Sequence, residues 1–288
     1  MDKILDGRPV ARAIYQELKE EVAQLYDKGI IPRLSVFKVG NDPASEYYVQ
    51  NIQKKAKKIG VVVDILNFVE NTPQDMIIAE IQKANKDPKV HGIMLQMPLP
   101  KQLNQNDVVM QIDPRKDIDG LHPINMGKLV LGQDCFVAST PAAVMELIHY
   151  YKIPTKGNRV VIIGRSNIVG LPLFHLLVQK NAGADATVTV CHSRSTNLQK
   201  IALEADILIV AIGKPKFVDH TYVSSNSKVI DVGINEVYDA DAETNIFVGD
   251  VNYIDVFPIV KAITPVPGGV GTITTASLLK NVVRASKL

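Results

Sequence analysis

The stretch Val160-Val161-Ile162-Ile163-Gly164-Arg165-Ser166-Asn167-Ile168-Val169-Gly170-Leu171-Pro172 decides the fold. A β-branched run stops at a glycine, a polar turn follows, and a second glycine opens an apolar helical pattern. This predicts a strand, a tight turn and a helix whose first N–H groups face a pyrophosphate. The middle glycine of G-x-G-x-x-G is missing, with Ser166 in its place, so the segment is a variant of the dinucleotide fingerprint. A buried strand with an ordinary glycine turn gives a similar pattern, and the rest of the chain has to separate the two.

Outward from this segment, strand and helix signals alternate. Arg8 to Lys28 carries apolar residues at a helical period closed by Gly29, and Leu34 to Gly40 reads as a strand. Ser45 is expected to cap a helix running to about Ile59, which Gly60 ends. A strand over Val61–Phe68, a helix opened by Thr72-Pro73 and a strand over Val90–Gln96 follow. This βαβαβ order predicts a parallel α/β sheet. A turn-rich passage through Asp117, Asp119, Gly120 and Pro123 leads to a helix opened by Ser139-Thr140-Pro141. Beyond it lie strands at Arg159–Gly164, Thr187–Cys191, Ile207–Gly213 and Lys228–Gly233, then a last helix over Ile273–Val283.

Composition narrows the function classes. The chain has 288 residues, enough for one large domain or two modest ones, and its 46% hydrophobic and 22% charged content is that of a folded chain. With 32 basic against 30 acidic side chains, the net charge of +2 makes no strong field for nucleic acid or a membrane. The cluster Lys54-Lys55-Ala56-Lys57-Lys58 reads as a solvated helix face, with attraction of an anionic substrate tail as a second reading. Cys135 and Cys191 lack C-x-x-C spacing, and the histidines lack paired-ligand spacing, so no metal is expected. The N-terminus carries no apolar signal core, so a cytoplasmic location is expected.

The second strand of a NAD-binding unit commonly ends in a carboxylate for the ribose hydroxyls. Here it ends Cys191-His192-Ser193-Arg194. Ser193, Arg194 and Arg165 offer hydroxyl and guanidinium donors suited to a 2′-phosphate, which favours NADP over NAD.

Four further segments point one way: Val39 to Val49 with its Gly-Asn-Asp-Pro-Ala-Ser run, Leu95-Gln96-Met97-Pro98-Leu99-Pro100, Asp117 to Pro123, and Thr264-Pro265-Val266-Pro267-Gly268-Gly269-Val270-Gly271. With Gly164 to Pro172, they resemble the methylenetetrahydrofolate dehydrogenase/cyclohydrolase family over nearly the whole chain. The resemblance implies two α/β domains with a cleft between them. The first is an N-terminal αβα folate-binding domain (1–139 plus 272–288), the second a Rossmann-like NADP-binding domain (140–271). It implies a homodimer acting on tetrahydrofolate derivatives, polyglutamylated forms among them. Two reactions follow: hydride transfer from 5,10-methylenetetrahydrofolate to NADP, then water addition to the methenyl product, giving 10-formyltetrahydrofolate.

By motif, Tyr48, Gln96 and Asp119 are the catalytic residues the resemblance implies, with Tyr48 against the folate, Gln96 beside the reacting centre and Asp119 on the pterin. The substrate set adds Ser45, Ile52, Pro267, Gly268 and Gly269. The cofactor set is Gly164, Arg165, Ser166, Ile168, Val169, Gly170, Ser193, Arg194, Gly213 and Ile234. Thr272-Ile273-Thr274 departs mildly from the family's usual Pro-Met-Thr, and one departure is serious: a lysine is expected one helical turn after Tyr48, and Ile52 stands there. Lys54 points to another face, and Lys55 lies about two turns, roughly 10 Å, from Tyr48. The dehydrogenase is therefore expected to survive and the cyclohydrolase to be weak or lost. The alternatives are a fully bifunctional enzyme using Lys54 or Lys55, and a non-catalytic folate- or nucleotide-binding protein.

Overall fold

The computed structural model describes residues 2–239 and 243–288; Met1 and residues 240–242 lie outside the described set. In chain order the helices and strands are α1 (Gly7–Asp27), β1 (Arg33–Val39), α2 (Pro43–Ile59), β2 (Val62–Phe68), α3 (Gln74–Lys86), β3 (Gly92–Leu95), α4 (Gln105–Val109), α5 (Pro123–Val130) and α6 (Ser139–Tyr150). They continue as β4 (Arg159–Ile163), α7 (Gly170–Val178), β5 (Thr187–Cys191), α8 (Leu198–Leu203), β6 (Ile207–Val210), β7 (Lys228–Asp231), β8 (Asn235–Asp239), β9 (Thr244–Val248), α9 (Tyr253–Val256), β10 (Ala262–Ile263) and α10 (Gly271–Ala285). No helix among the described residues is long and apolar enough to cross a membrane.

The chain divides into two compact units, residues 13–138 with 275–288, and residues 1–12 with 139–274. The first holds a parallel sheet in the order β2-β1-β3. Strand β1 is buried from Leu34 to Val39, as an apolar run covered on both faces must be. Phe37 pairs with Leu95, and both join Val39, Ile77, Ile81 and Val108 in one core. Helix α2 buries Ser45, Val49, Ile52, Ala56 and Ile59, steps of four and three that make one stripe. Its N-cap is Asp42, not Ser45: the Asp42 carboxylate accepts the Ser45 N–H at 2.8 Å, because Pro43 starts the helix three residues earlier than expected. Gly60, at φ 84°, closes it as expected.

The second unit carries a five-stranded parallel sheet, β10-β7-β6-β4-β5. From β4 the chain steps outward to β5 and then returns to β6 on β4's other side. The carboxyl ends of β4 and β6 are thus the switch point where α/β sheets bind ligands. Residues 2–12 fall in this unit, whereas sequence reasoning placed the first 139 residues together. The reason is a short ladder: Leu5 N–H donates to Ile263 O at 2.9 Å, and Ile263 N–H to Lys3 O at 2.8 Å. Sequence reading also passed over α4, α5 and the antiparallel β8–β9 hairpin.

Two buried carboxylates organise the loops beyond β6 and β7. Asp250 accepts the N–H groups of Ile212, Gly213 and Lys214 at 2.7, 2.9 and 2.9 Å and the Asn235 amide at 2.8 Å. Asp231 accepts from Gly233, Asp250 and Val251 at 3.0, 3.0 and 2.9 Å. Burial pushes the Asp231 carboxyl up to about 7, against the pull of those three N–H groups. A carboxyl that holds its proton more tightly folded than unfolded favours folding fully below its unfolded value of 3.8 and loses that contribution as pH rises through about 7. Denaturant midpoints of the wild type should therefore fall between pH 5 and pH 8, and Asp231→Asn should flatten the slope; parallel slopes would rule this out.

Candidate functional site

In the three-stranded unit the strands' carboxyl ends gather most of the residues singled out for substrate. Gln96 follows β3 and extends its ladder, its N–H donating to Phe37 O at 2.9 Å. Its side-chain Nε2 donates to Met97 O at 2.7 Å and reaches Ser45 Oγ at 3.4 Å. Its Oε1 is buried with no hydrogen-bond partner among the described residues, an arrangement that native structures rarely leave unanswered. Tyr48 is half-buried and Ile52 fully buried, one turn further along α2. Ser45, Gln96 and the stripe bearing Ile52 are therefore brought together.

The two lysines weighed as substitutes for Ile52 point elsewhere. Lys54 is exposed and lines a surface groove with Tyr26, Gln50, Lys57 and Val62. Lys55 Nζ lies 6.0 Å from the Tyr15 ring, and burial, with Lys58 adding to it, lowers its pKa. Asp119 is half-buried in the turn after Ile118. That turn is braced by Asp117, buried, which accepts the N–H groups of Leu121 and His122 at 3.2 and 2.8 Å and the Asn125 amide at 2.8 Å. Sequence reading left Asp117 without a role; the signal was the Asp-x-Asp-Gly spacing, whose first carboxylate braces the turn.

In the five-stranded unit, Gly164 ends β4 at φ 141°, and a Cβ there would strike the Ala211 carbonyl. A Cβ on Gly170 would strike the Gly164 carbonyl. These two glycines let strand, turn and helix close on one another as the fingerprint requires. Ser166 Oγ accepts the Val169 N–H at 3.2 Å, so this serine shapes the turn where the usual glycine would stand. Helix α7 has no side-chain cap; the Leu171 N–H donates to Ser166 O at 3.1 Å, the Leu173 N–H to Val169 O at 3.0 Å, and Pro172 has none, which leaves the Gly170 N–H to face a ligand.

Arg165 lies two residues beyond β4, and Ser193 and Arg194 lie two and three beyond the neighbouring β5. All three are exposed, as is Ile168, and neither guanidinium makes an ion pair or hydrogen bond among the described residues. Gly213, at φ 68°, is held by Asp250. Exposed Ile234 packs where a Cβ on Gly271 would be. Two unengaged arginines beyond adjacent strands at a switch point suit the phosphates of a nucleotide. Pro267, Gly268 and Gly269, expected with the substrate residues, belong to this unit, where Gly268 O accepts the Gly7 N–H at 2.8 Å.

Among the described residues, Asp219, His220 and Asp255 form one cluster of metal-ligating type. Asp255 already accepts from the His220 backbone and ring at 2.8 and 2.9 Å, and Asp219 from Thr221, so these carboxylates cap a helical turn.

Fold and site together define a dinucleotide-dependent α/β enzyme. Family models agree in detail: the tetrahydrofolate dehydrogenase/cyclohydrolase catalytic domain matches residues 5–119, and that family's NAD(P)-binding domain matches 138–288. The chain belongs to the tetrahydrofolate dehydrogenase/cyclohydrolase family. It is 46% identical over 286 residues to the bifunctional protein FolD of Acetivibrio thermocellus, covering 99% of this chain and 97% of that one. The crystal structure of the bifunctional enzyme FolD from Campylobacter jejuni superposes with a TM-score of 0.93 at 40% identity, over 99% of this chain and 98% of that one. A Trypanosoma brucei FolD structure, complexed with NADP cofactor and inhibitor, gives 0.91 at 37%, over 99% and 97%.

Gly164→Ala tests the turn. The added Cβ meets backbone rather than a flexible side chain, so a loss of about 1–3 kcal/mol in stability is expected, read as a lower thermal midpoint. An unchanged midpoint would mean that the turn relaxes freely.

Proposed function

We propose that the protein oxidises 5,10-methylenetetrahydrofolate to the methenyl cation with NADP, and hydrolyses that cation to 10-formyltetrahydrofolate more slowly. The observation that carries this reading is the buried, unpartnered Oε1 of Gln96 beside Ser45, an acceptor set for a ligand at the carboxyl edge of the sheet. Asp119 suits the aminopyrimidinone edge of a pterin, because a carboxylate accepts two parallel N–H bonds. Tyr48 offers a ring face along the folate. Arg165 and Arg194 would hold the adenosine 2′-phosphate, and the Gly170 N–H at the start of α7 would meet the pyrophosphate. NADP supplies the hydride acceptor when bound. Departure of the hydride is driven by the nitrogen lone pairs of the substrate, so the chain's part is to position rings and exclude water.

Water addition is a different demand. It requires proton handling, usually worth about 10²–10⁴-fold. Ile52 is fully buried in an apolar stripe and neither gives nor takes a proton. Neither Lys54 nor Lys55 shares that stripe. Retained Tyr48, Gln96 and Asp119 argue against a non-catalytic binder. Homodimer formation is part of this reading and is checked by sedimentation.

With both steps assayed on one preparation, NADP-dependent formation of the methenyl chromophore should outpace hydrolysis, and Ile52→Lys should raise hydrolysis by about 10²-fold. Hydrolysis matching dehydrogenation in the wild type would refute the imbalance, and absence of NADP-dependent oxidation would refute the enzyme. Arg194→Ala should raise the KM for NADP by ~10-fold or more, the worth of a charge-assisted hydrogen bond, and leave that for NAD nearly unchanged. Equal effects on both cofactors would remove Arg194 from the phosphate.

A further inference from the structure

A second lysine in the three-stranded unit lies where a charge is costly. Lys38 is the sixth residue of β1, inside a run buried from Leu34 to Val39, and its side chain is 6% exposed. An ammonium so placed needs a partner, because desolvating an unpaired charge costs several kcal/mol. The partner is Glu46 in the first turn of α2: Lys38 Nζ donates to Glu46 Oε2. Gln50, one turn on, donates to the other carboxylate oxygen at 2.9 Å. Together they hold the Glu46 carboxyl below its ordinary range.

The sheet sets where Lys38 points. Phe37 and Leu95 are paired and face the core that contains Ile77 and Ile81. Lys38 and Gln96 are the next residues of the two strands, so both leave the sheet on the opposite face, at its carboxyl edge. Glu46, which binds Lys38, is the neighbour of Ser45, whose hydroxyl lies 3.4 Å from Gln96 Nε2. One cluster therefore holds a buried ammonium, a buried unpartnered amide oxygen and the start of the stripe that carries Ile52.

We propose that Lys38 supplies, from strand β1, the amine that Ile52 does not supply from helix α2, and that the slow hydrolysis of this enzyme runs through it. The proposal rests on the folate reading above. As water's oxygen bonds to the methenyl carbon, one water proton passes to the Lys38–Glu46 pair. When the carbon–nitrogen bond then breaks, its electron pair goes to that nitrogen, which takes a proton from the Lys38 ammonium. The hydroxyl proton of the adduct leaves as the formyl carbonyl forms, so one proton is released per turnover. Glu46, 44% exposed against 6% for Lys38, is the exit to solvent.

The test compares wild type, Lys38→Met, Ile52→Lys and the double variant in both assays, with methenyltetrahydrofolate for hydrolysis and methylenetetrahydrofolate with NADP for oxidation. The wild type should hydrolyse above the buffer rate. Lys38→Met should lose at least ~10²-fold in hydrolytic kcat, far more than it loses in oxidation, and Ile52→Lys in the Lys38→Met background should restore hydrolysis. Hydrolysis no faster than buffer in the wild type, hydrolysis indifferent to Lys38→Met, or equal loss of both activities without rescue would each overturn the proposal. Failure of the wild type to oxidise methylenetetrahydrofolate would instead overturn the folate reading itself.

Discussion

The structure depends on how closely backbone approaches backbone at the end of β4. Gly164 stands against the Ala211 carbonyl, and Gly170 stands against Gly164, with no room for a side-chain carbon at either contact. That closeness joins the loop after β4 to the loop after β6 on either side of the switch point. It also starts α7 directly over the turn, where the Leu171 N–H folds back onto Ser166 O at 3.1 Å. Asp250 performs the matching task from the other side, drawing three consecutive N–H groups of residues 212–214 onto one carboxylate. The loops beyond β4 and β6 are thus shaped by covalent geometry and buried hydrogen bonds.

The architecture was legible where periodicity was strong. Both parallel sheets, the helices at 7–27, 43–59 and 139–150 and the glycine stop at Gly60 follow from alternating apolar runs and caps. What escaped was short or non-local. Helices α4 and α5 span five and eight residues, too few for a hydrophobic period to show. Strands β8 and β9 are five residues each and bury none of them fully, so no core-facing stripe marks them. The pairing of residues 3–5 with Ile263 joins positions more than 250 residues apart, and no local pattern reports such a contact.

The site was legible as a set of residue types and less so as an arrangement. Ser45 and Gln96 do meet, and Arg165 and Arg194 do lie past adjacent strands. Pro267, Gly268 and Gly269 belong to the five-stranded unit, because their loop is tied to β10 and to Gly7. Lys38 attracted no notice in the sequence, since one lysine in an apolar strand resembles an edge residue. Only the fold shows it to be buried, paired with Glu46 and next in register to Gln96. A residue's chemistry is written in the chain, but its neighbours across a sheet depend on register.

The ladder between Lys3, Leu5 and Ile263 bears on how the molecule is handled. β10 is only two residues long and sits at the margin of its sheet, where unpaired backbone groups invite other strands. The amino-terminal segment covers that margin, and Tyr151 anchors it further by donating to Asp6 O at 2.9 Å. A partner fused ahead of Asp2 is thus tethered to the five-stranded sheet, at a strand more than 250 residues further along the sequence. Trimming those first few residues would bare a strand edge and invite self-association.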